Sequence, residues 1–262
     1  MAADRSGGGV QSVHRAFELL ELMADAGGEV TLSQLAVASE LPLPTIHRLL
    51  RTLVDGGYVR QQPSRRYALG PRLIRLGETA GRVLGAWARP YLAGLTDAVG
   101  ETSNMAVLDG DQVVYVAQVP SPHSMRMFTE VGRRADAHST AVGKAVLAQL
   151  PCDAVDRLLT RAGMRRKTEH TIVDLDQFRR ELATIRAVGY AEDDGEQEIG
   201  VRCIAVTVPG APTGAAISIS GPATRMSLIA VADVVPLMHG VARSLARELH
   251  VASHWSTIDR SG

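Results

Sequence analysis

The sequence predicts two domains. An N-terminal unit of three helices and a β-hairpin covers residues 10–70, and an α+β domain built on an antiparallel sheet covers 85–253, with a linker helix at 71–84 between them. Three observations carry this expectation. Apolar residues recur at helical spacing in three successive stretches near the N-terminus, each closed by a capping or breaking residue. Two short alternating stretches follow, around a turn-forming segment. Beyond them, strand-like runs are interleaved with helical ones.

The first helix covers Gln11–Asp25, where Val13, Phe17, Leu20 and Ala24 return at steps of three and four, and Ala26-Gly27-Gly28 ends it. Thr31 or Ser33 caps a short second helix through Leu32, Leu35 and Ala36. Glu40-Leu41-Pro42 turns the chain, and a third helix starts near Pro44, whose missing N–H suits a first helical position. Ile46, Leu49, Leu50 and Leu53 form its buried face. Thr45, Arg48 and Thr52 share another face, with His47 and Arg51 at its edges, and Gly56-Gly57 closes the helix. Residues 58–61 and 66–69 alternate as a hairpin around Gln62-Pro63-Ser64-Arg65, which puts Arg65 and Arg66 at its tip. Three helices followed by a basic-tipped hairpin is the plan of a winged helix-turn-helix. In that plan the third helix enters the major groove and the hairpin reaches a phosphate or the minor groove.

The formal net charge is zero, which by itself speaks against a nucleic-acid partner. Its distribution reverses that. Residues 10–40 hold one basic side chain, Arg15, against five acids, whereas residues 41–75 hold seven arginines against one acid, Asp55. A neutral total hides a basic block, and phosphate contacts need such a block. Double-stranded operator DNA is therefore the expected partner, and Thr45, His47, Arg48, Arg51, Thr52, Arg65 and Arg66 are its expected contacts.

Other classes are excluded by composition. The 262 residues are 45% hydrophobic, enough for two cores. Two cysteines, Cys152 and Cys203, make neither a disulfide framework nor a four-cysteine zinc site, so a reducing cytoplasm is the expected compartment. Residues 1–9 are polar and Gly-rich, unlike a signal peptide. The apolar run 228–232 stops at Asp233, well short of the ~20 residues of a membrane span. No membrane, metal or cofactor is expected.

Residues 71–99 read as helical with an interruption at Pro90, and the domain junction is placed near Gly85. Strands are expected at 102–108 and 112–119, joined by Asp109-Gly110-Asp111, and at 201–208 and 214–220, around a Pro/Gly-rich turn. Helices are expected at 139–150, which opens on small residues, at 175–188, which Gly189 stops, and through most of 224–251.

Over roughly residues 11–249 the sequence resembles the IclR family of bacterial transcription regulators. In the first domain the resemblance rests on Leu41-Pro42, on Thr45-Ile46-His47-Arg48-Leu49-Leu50 and on Gly57-Tyr58-Val59. In the second it rests on three ordered motifs. These are His138-Ser139-Thr140-Ala141-Val142-Gly143-Lys144-Ala145; then Gly189-Tyr190-Ala191 with Glu198 and Gly200-Val201-Arg202-Cys203-Ile204-Ala205; and Ala216-Ile217-Ser218-Ile219-Ser220-Gly221-Pro222. The resemblance implies a GAF-like domain that binds a small metabolite, often an organic acid, and a homodimer or homotetramer on DNA. It carries an effector pocket onto Thr140, Ala141, Asp193, Cys203, Ser218 and Ser220. Two positions depart from the family's habit: Asp136, where Pro is frequent, and Pro44, where a small polar residue is frequent.

The chemistry of those residues fits a small polar ligand. The N–H groups and dipole of a helix start attract an anion, and Thr140 and Ala141 are small enough to let one approach. Ser218 and Ser220 alternate with isoleucines, so both hydroxyls face one side of a strand. Met105, Met125 and Met127 are expected as adaptable apolar walls. The function expected is a ligand-responsive DNA-binding regulator, repressor or activator. An enzyme using Cys203 as nucleophile with His138 as base, or using Ser139, is the alternative. A metal or redox sensor on Cys203 and His138 has too few ligands for a closed site.

Overall fold

The computed structural model describes residues 10–127, 130–211 and 214–258, with backbone alone at 82–84 and 250–258. The polar segment 1–9 and Pro212 of the expected Pro/Gly-rich turn lie outside the described residues. The chain divides into two compact units, one up to Ala80 and one from Gly81.

The first unit contains α1 (Gln11–Asp25), β1 (Glu29–Val30), α2 (Leu32–Ser39), α3 (Leu43–Asp55), β2 (Val59–Gln61) and β3 (Tyr67–Leu69), and α4 (Arg72–Leu84) follows. A reciprocal cap starts α2: Thr31 Oγ1 accepts the Gln34 N–H at 3.2 Å, and Gln34 Oε1 accepts the Thr31 N–H at 2.8 Å. Pro42 caps α3, so Pro44 takes the second helical position, one further in than expected. Ile46, Leu49, Leu50 and Leu53 of α3 close over Leu19, Leu20 and Met23 of α1, Leu35 of α2, and Val59 and Tyr67 of the strands.

The expected inner face of α1 is corrected. Val13 and Phe17 are exposed, at 51% and 62%, and Ala24 is exposed too. Two apolar rows share Leu20 on this helix. Burial goes to the row with Leu19 and Met23, because only that row faces α2 and α3.

The strands form a small antiparallel sheet in the order β1-β3-β2, with β3 central. Two residues are too few to show alternation, so β1 was not foreseen. At the hairpin tip the Arg65 N–H donates to Gln62 O and the Gln62 N–H donates to Arg66 O, both at 2.9 Å. Arg65 stands at φ 63°, the left-handed position that closes a three-residue loop and that glycine usually fills.

The second unit opens with a tight helical turn at Ala86–Ala88, then α5 (Arg89–Val99), β4 (Thr102–Asp109), β5 (Gln112–Val119) and β6 (Arg134–Asp136). A second tight turn at Ala137–Ser139 leads into α6 (Ala141–Leu147), α7 (Cys152–Ala162) and α8 (Leu175–Val188). Strands β7 (Ala191–Asp194), β8 (Val201–Val208) and β9 (Ala215–Pro222) follow, then α9 (Ala223–Met226) and α10 (Val231–Ile258). The six strands run antiparallel in the order β6-β5-β4-β9-β8-β7. One core lies between the sheet and α6, α7 and α8, and the other between the sheet and α5 and α10. Alternation along β9 assigns Ile217 and Ile219 to the second core and Ala216 to the first.

Two expectations about this unit are corrected. The helical break comes at Gly85 rather than Pro90. Pro90 sits near the start of α5, where its missing N–H costs nothing, while a Cβ at Gly85 would lie 2.6 Å from the backbone carbon of Val116. The expected helix at 139–150 is a tight turn followed by the seven residues of α6. Helix α7 and strands β6 and β7 were not foreseen.

Candidate DNA-facing helix and ligand cavity

On α3, burial of Ile46, Leu49, Leu50 and Leu53 leaves His47, Arg48, Arg51 and Thr52 exposed and Thr45 half-buried. The Thr52 hydroxyl already donates to Arg48 O at 3.2 Å. At the hairpin tip the two arginines differ. Arg65 is exposed. Arg66 is held inside its own unit: Nε pairs with Glu29 Oε1 at 2.7 Å, and another nitrogen donates to Glu29 O at 3.2 Å. That pairing ties the hairpin to β1 and leaves Arg66 less free than Arg65. Two arginines given no role in the sequence reading also edge this unit. Arg60 is exposed on β2, and Arg72 stacks over the Tyr58 ring at 5.3 Å while donating to Gly56 O at 2.9 Å.

In the second unit, Thr140, Ala141, Asp193, Cys203, Ser218 and Ser220 all line one cavity of about 30 Å³. Gly143 packs α6 onto the preceding turn, since a Cβ there would lie 2.5 Å from Ala137 Cα. That contact brings Thr140 and Ala141 over the sheet. Cys203 of β8 sits in register between Asp193 of β7 and Ser220 of β9. Asn104 of β4 lies beside them and donates to Ser218 Oγ at 3.4 Å and Ser220 Oγ at 3.3 Å, and Gln118 donates to Asn104 Oδ1 at 3.1 Å. Both serines are buried and already partnered, not turned to solvent.

Of the three methionines expected as walls, only Met127 lines the cavity. Met105 belongs to the core on the other side of the sheet, and Met125 is 72% exposed. The reading from sequence missed Tyr115, Gln197, Glu198 and Val201, which complete the lining with Val142. Tyr115 comes from a strand beyond β4, and nothing in its neighbourhood in sequence signals that placement.

The electrostatics are those of a buried polar pocket. Burial raises the Asp193 carboxyl to about 7, against the pull of the Glu196 and Gln197 N–H groups and of Lys144. Burial pushes the Cys203 thiol up to about 12, and Tyr115 is also raised. Behind the cavity, Lys144 is only 1% exposed, and its Nζ reaches Glu196 Oε1 at 2.5 Å and Glu181 Oε1 at 3.1 Å. Burial also raises Glu196, and Lys144 opposes this. The readable signal was one lysine inside an apolar run, Ala141 to Leu150. Among the described residues no three His, Cys, Asp or Glu side chains are grouped to hold a metal ion, and no helix is long and apolar enough to cross a membrane.

A helix-turn-helix with a basic outer face, joined to a domain that encloses a polar cavity, defines a transcription regulator with a DNA-binding and an effector-binding domain. Family models agree. The IclR helix-turn-helix domain matches residues 12–63, and the C-terminal domain of the bacterial transcriptional regulator IclR matches residues 81–247. The chain belongs to the IclR family. It is 39% identical to the transcriptional repressor IclR of Escherichia coli K12 over 227 residues, 84% of this chain and 83% of that one. A transcriptional regulator of Rhodococcus sp. RHA1 has a crystal structure with TM-score 0.75 and 33% identity, covering 93% of this chain and 100% of its own. An IclR homolog of Microbacterium hydrocarbonoxydans, crystallised with 4-hydroxybenzoate, shares the fold at TM-score 0.77 and 23% identity, over 92% of this chain and 100% of its own.

Proposed function

We propose that this regulator binds double-stranded operator DNA through Thr45, His47, Arg48, Arg51 and Thr52 of α3 and through Arg65 at the hairpin tip. In this reading a small carboxylate-bearing metabolite in the C-terminal cavity sets its DNA affinity. The observation that carries the reading is the division of labour. One unit keeps arginines exposed on a helix whose other face is buried, and the other encloses hydroxyls, a thiol and carboxyls in a cavity. The Microbacterium homolog holds a hydroxy-substituted carboxylate, which supports that ligand class here. Repression is the sign we favour, after the Escherichia coli relative. Work on DNA puts the protein in the bacterial cytoplasm.

A cavity of about 30 Å³ has room for a water or two, not for a metabolite. Entry of a ligand must displace side chains, and the flexible Met127 is the natural one to move. The ligand thereby favours one of two arrangements, the requirement for shifting DNA affinity.

Paired substitutions in a gel-shift titration test the DNA half. Arg48→Ala should lose about 1–3 kcal/mol on the operator and relax specificity at one position. Arg65→Gly should weaken operator and random DNA alike and flatten the salt slope by about 0.9, as expected for one phosphate contact. The same change should raise the stability of the first unit by ~1 kcal/mol, because glycine relieves the left-handed backbone. Unchanged binding by both variants would remove these residues from the interface. Arg66→Ala should act chiefly through the lost tie to Glu29.

We also propose that the first unit pairs with a second copy. Val13 and Phe17 of α1, with Val10 just ahead of the helix, form an exposed apolar row, and Ile74 and Leu76 are exposed on α4. The α1 row is flanked by exposed Glu18 and Glu21, and α4 carries exposed Arg72 and Arg75, so α1 of one copy complements α4 of the other. Phe17→Glu should therefore yield monomers in sedimentation and weaken operator binding. A dimer that survives this change refutes the interface. A tetramer would need a further surface in the second unit.

The enzyme reading has little to stand on. A thiol pushed up to about 12 supplies almost no thiolate near neutrality. His138 Nε2 is engaged with Arg165 O at 3.1 Å, and the Ser139 hydroxyl donates to Gln197 Oε1 at 2.7 Å. Neither potential nucleophile is paired with a base.

A further inference from the structure

The cavity that we read as the effector site contains no basic side chain among its described lining residues. Its ionisable groups are Asp193, Glu198, Cys203 and Tyr115, all acids. A carboxylate entering it meets no counter-ion, and at the start of α6 the Gly143 N–H is already taken by Thr140 Oγ1 at 3.2 Å. Asp193 decides how an anion can be accepted. Its Oδ1 accepts the Glu196 N–H at 2.7 Å and the Gln197 N–H at 3.3 Å, an arrangement that fixes the carboxyl group on the turn after β7. Its other oxygen is left as the group that can meet a ligand.

We propose that Asp193 is a specificity-determining proton donor, which offers a protonated carboxyl to the ligand's carboxylate, so that effector and proton are bound together. The inference rests on the effector-site reading. Two carboxyl groups facing one another in a buried space cannot both ionise, and they share one proton through a hydrogen bond instead. The ligand itself is the stronger acid in water, so the proton comes from the protein side or from solvent on binding. Burial, helped by the acid Glu196, keeps the proton on Asp193 against the two N–H groups at its Oδ1 and the charge of Lys144. Cys203 on β8 and Tyr115 on β5 bring no positive charge, and Glu196 and Glu198 after β7 are acids. Among the described residues Lys144 of α6 is the cation whose charge reaches Asp193, and it is committed to Glu196 and to Glu181 of α8, while Arg133 acts on Tyr115. His170 lies against Gly195 in the same turn, and His138 faces the carbonyl of Arg165. Because burial holds Asp193 at about 7 without ligand, the donor form is present on the acid side of neutrality and is lost on the alkaline side.

The test is calorimetry on the full chain with three probes, 4-hydroxybenzoate, lactate and pyruvate, at pH 6 and pH 8, in buffers of different ionisation enthalpy. Affinity should fall about tenfold from pH 6 to pH 8, with uptake of about one proton on binding at pH 8 and almost none at pH 6. Asp193→Asn keeps an Oδ1 for the two N–H groups and an N–H to donate, and should bind the same acid with no pH slope between 6 and 8. Equal wild-type affinity at pH 6 and pH 8, no proton uptake, or a slope that survives in Asp193→Asn overturns the proposal while leaving the effector site in place. Failure of all three acids to bind at pH 6 overturns the carboxylate reading of the site and the proposal with it. The wild-type slope and the proton count stand even if the variant does not fold.

Discussion

Lys144→Met should cost the second unit about 3–5 kcal/mol at pH 8, and adding Glu196→Gln should recover most of that loss. Lys144 is among the largest fully buried side chains of the described residues, and Glu196 is only 10% exposed on its side chain. The pair itself gains little over an apolar pair of the same volume, because both ions lose their hydration. Removing one partner is different. Glu196 would stay buried as an anion, and its Oε2 already lacks a hydrogen-bond partner among the described atoms. Burial raises Glu196, and Lys144 is the chief influence holding it down. Without Lys144 the folded-state value rises further above the unfolded one. A carboxyl raised in this way is stable when protonated, so the variant should lose least at pH 5 and progressively more as pH climbs through the folded value. Chemical denaturation at pH 5 and pH 8 measures this. Equal loss at both pH values, or no rescue by Glu196→Gln, would show that the lysine stem's packing matters and not its charge.

The same lysine shows where sequence reasoning stops. A single charge inside Ala141–Leu150 was visible, but its two carboxylate partners lie 37 and 52 residues away, and no local pattern joins them. On α3 the pattern was legible, because four leucines and isoleucines at steps of three and four leave only one face for Thr45, Arg48 and Thr52. On α1 the same reasoning chose the wrong row. Two apolar rows satisfied the spacing, and tertiary packing, not period, selected Leu19 and Met23. The resemblance to a family placed six residues that do share a cavity, whereas the methionine walls, inferred from residue type alone, failed at Met105 and Met125. Alternation along β4 turns Met105 away from the side that Asn104 takes, Met125 lies in a bend outside the strands, and β4 shifts register against β5 between Met105 and Ala106. Tyr115 became a cavity residue through that same pairing, and Arg66 became a tie rather than a tip through a strand of two residues.

Gly143→Val should leave no stably folded second unit, and Gly143→Ala alone should cost about 1–3 kcal/mol or more. The direction is informative because helix propensity argues the other way: alanine in place of glycine inside a helix gains ~1 kcal/mol when nothing obstructs it. At Gly143 something does. A Cβ would come within 2.5 Å of Ala137 Cα and 2.6 Å of its carbonyl carbon, and it would overlap the carbonyl oxygen as well. These are backbone atoms of a turn in which Ala137, His138, Ser139 and Thr140 are all buried, so the neighbour cannot swing aside. Any accommodation has to move the start of α6, and with it Thr140 and Ala141 on the cavity wall, so a probe acid that binds the wild type should lose affinity even where Gly143→Ala still folds. Gly94 in α5 supplies the contrast within the same unit. It is exposed, and a Cβ there meets nothing within 4 Å. Gly94→Ala should therefore stabilise by about 0.5–1 kcal/mol and leave ligand binding unchanged. Thermal melts of the two alanine variants should move in opposite directions from the wild type. If both rise, the close approach of α6 to Ala137 does not shape this cavity.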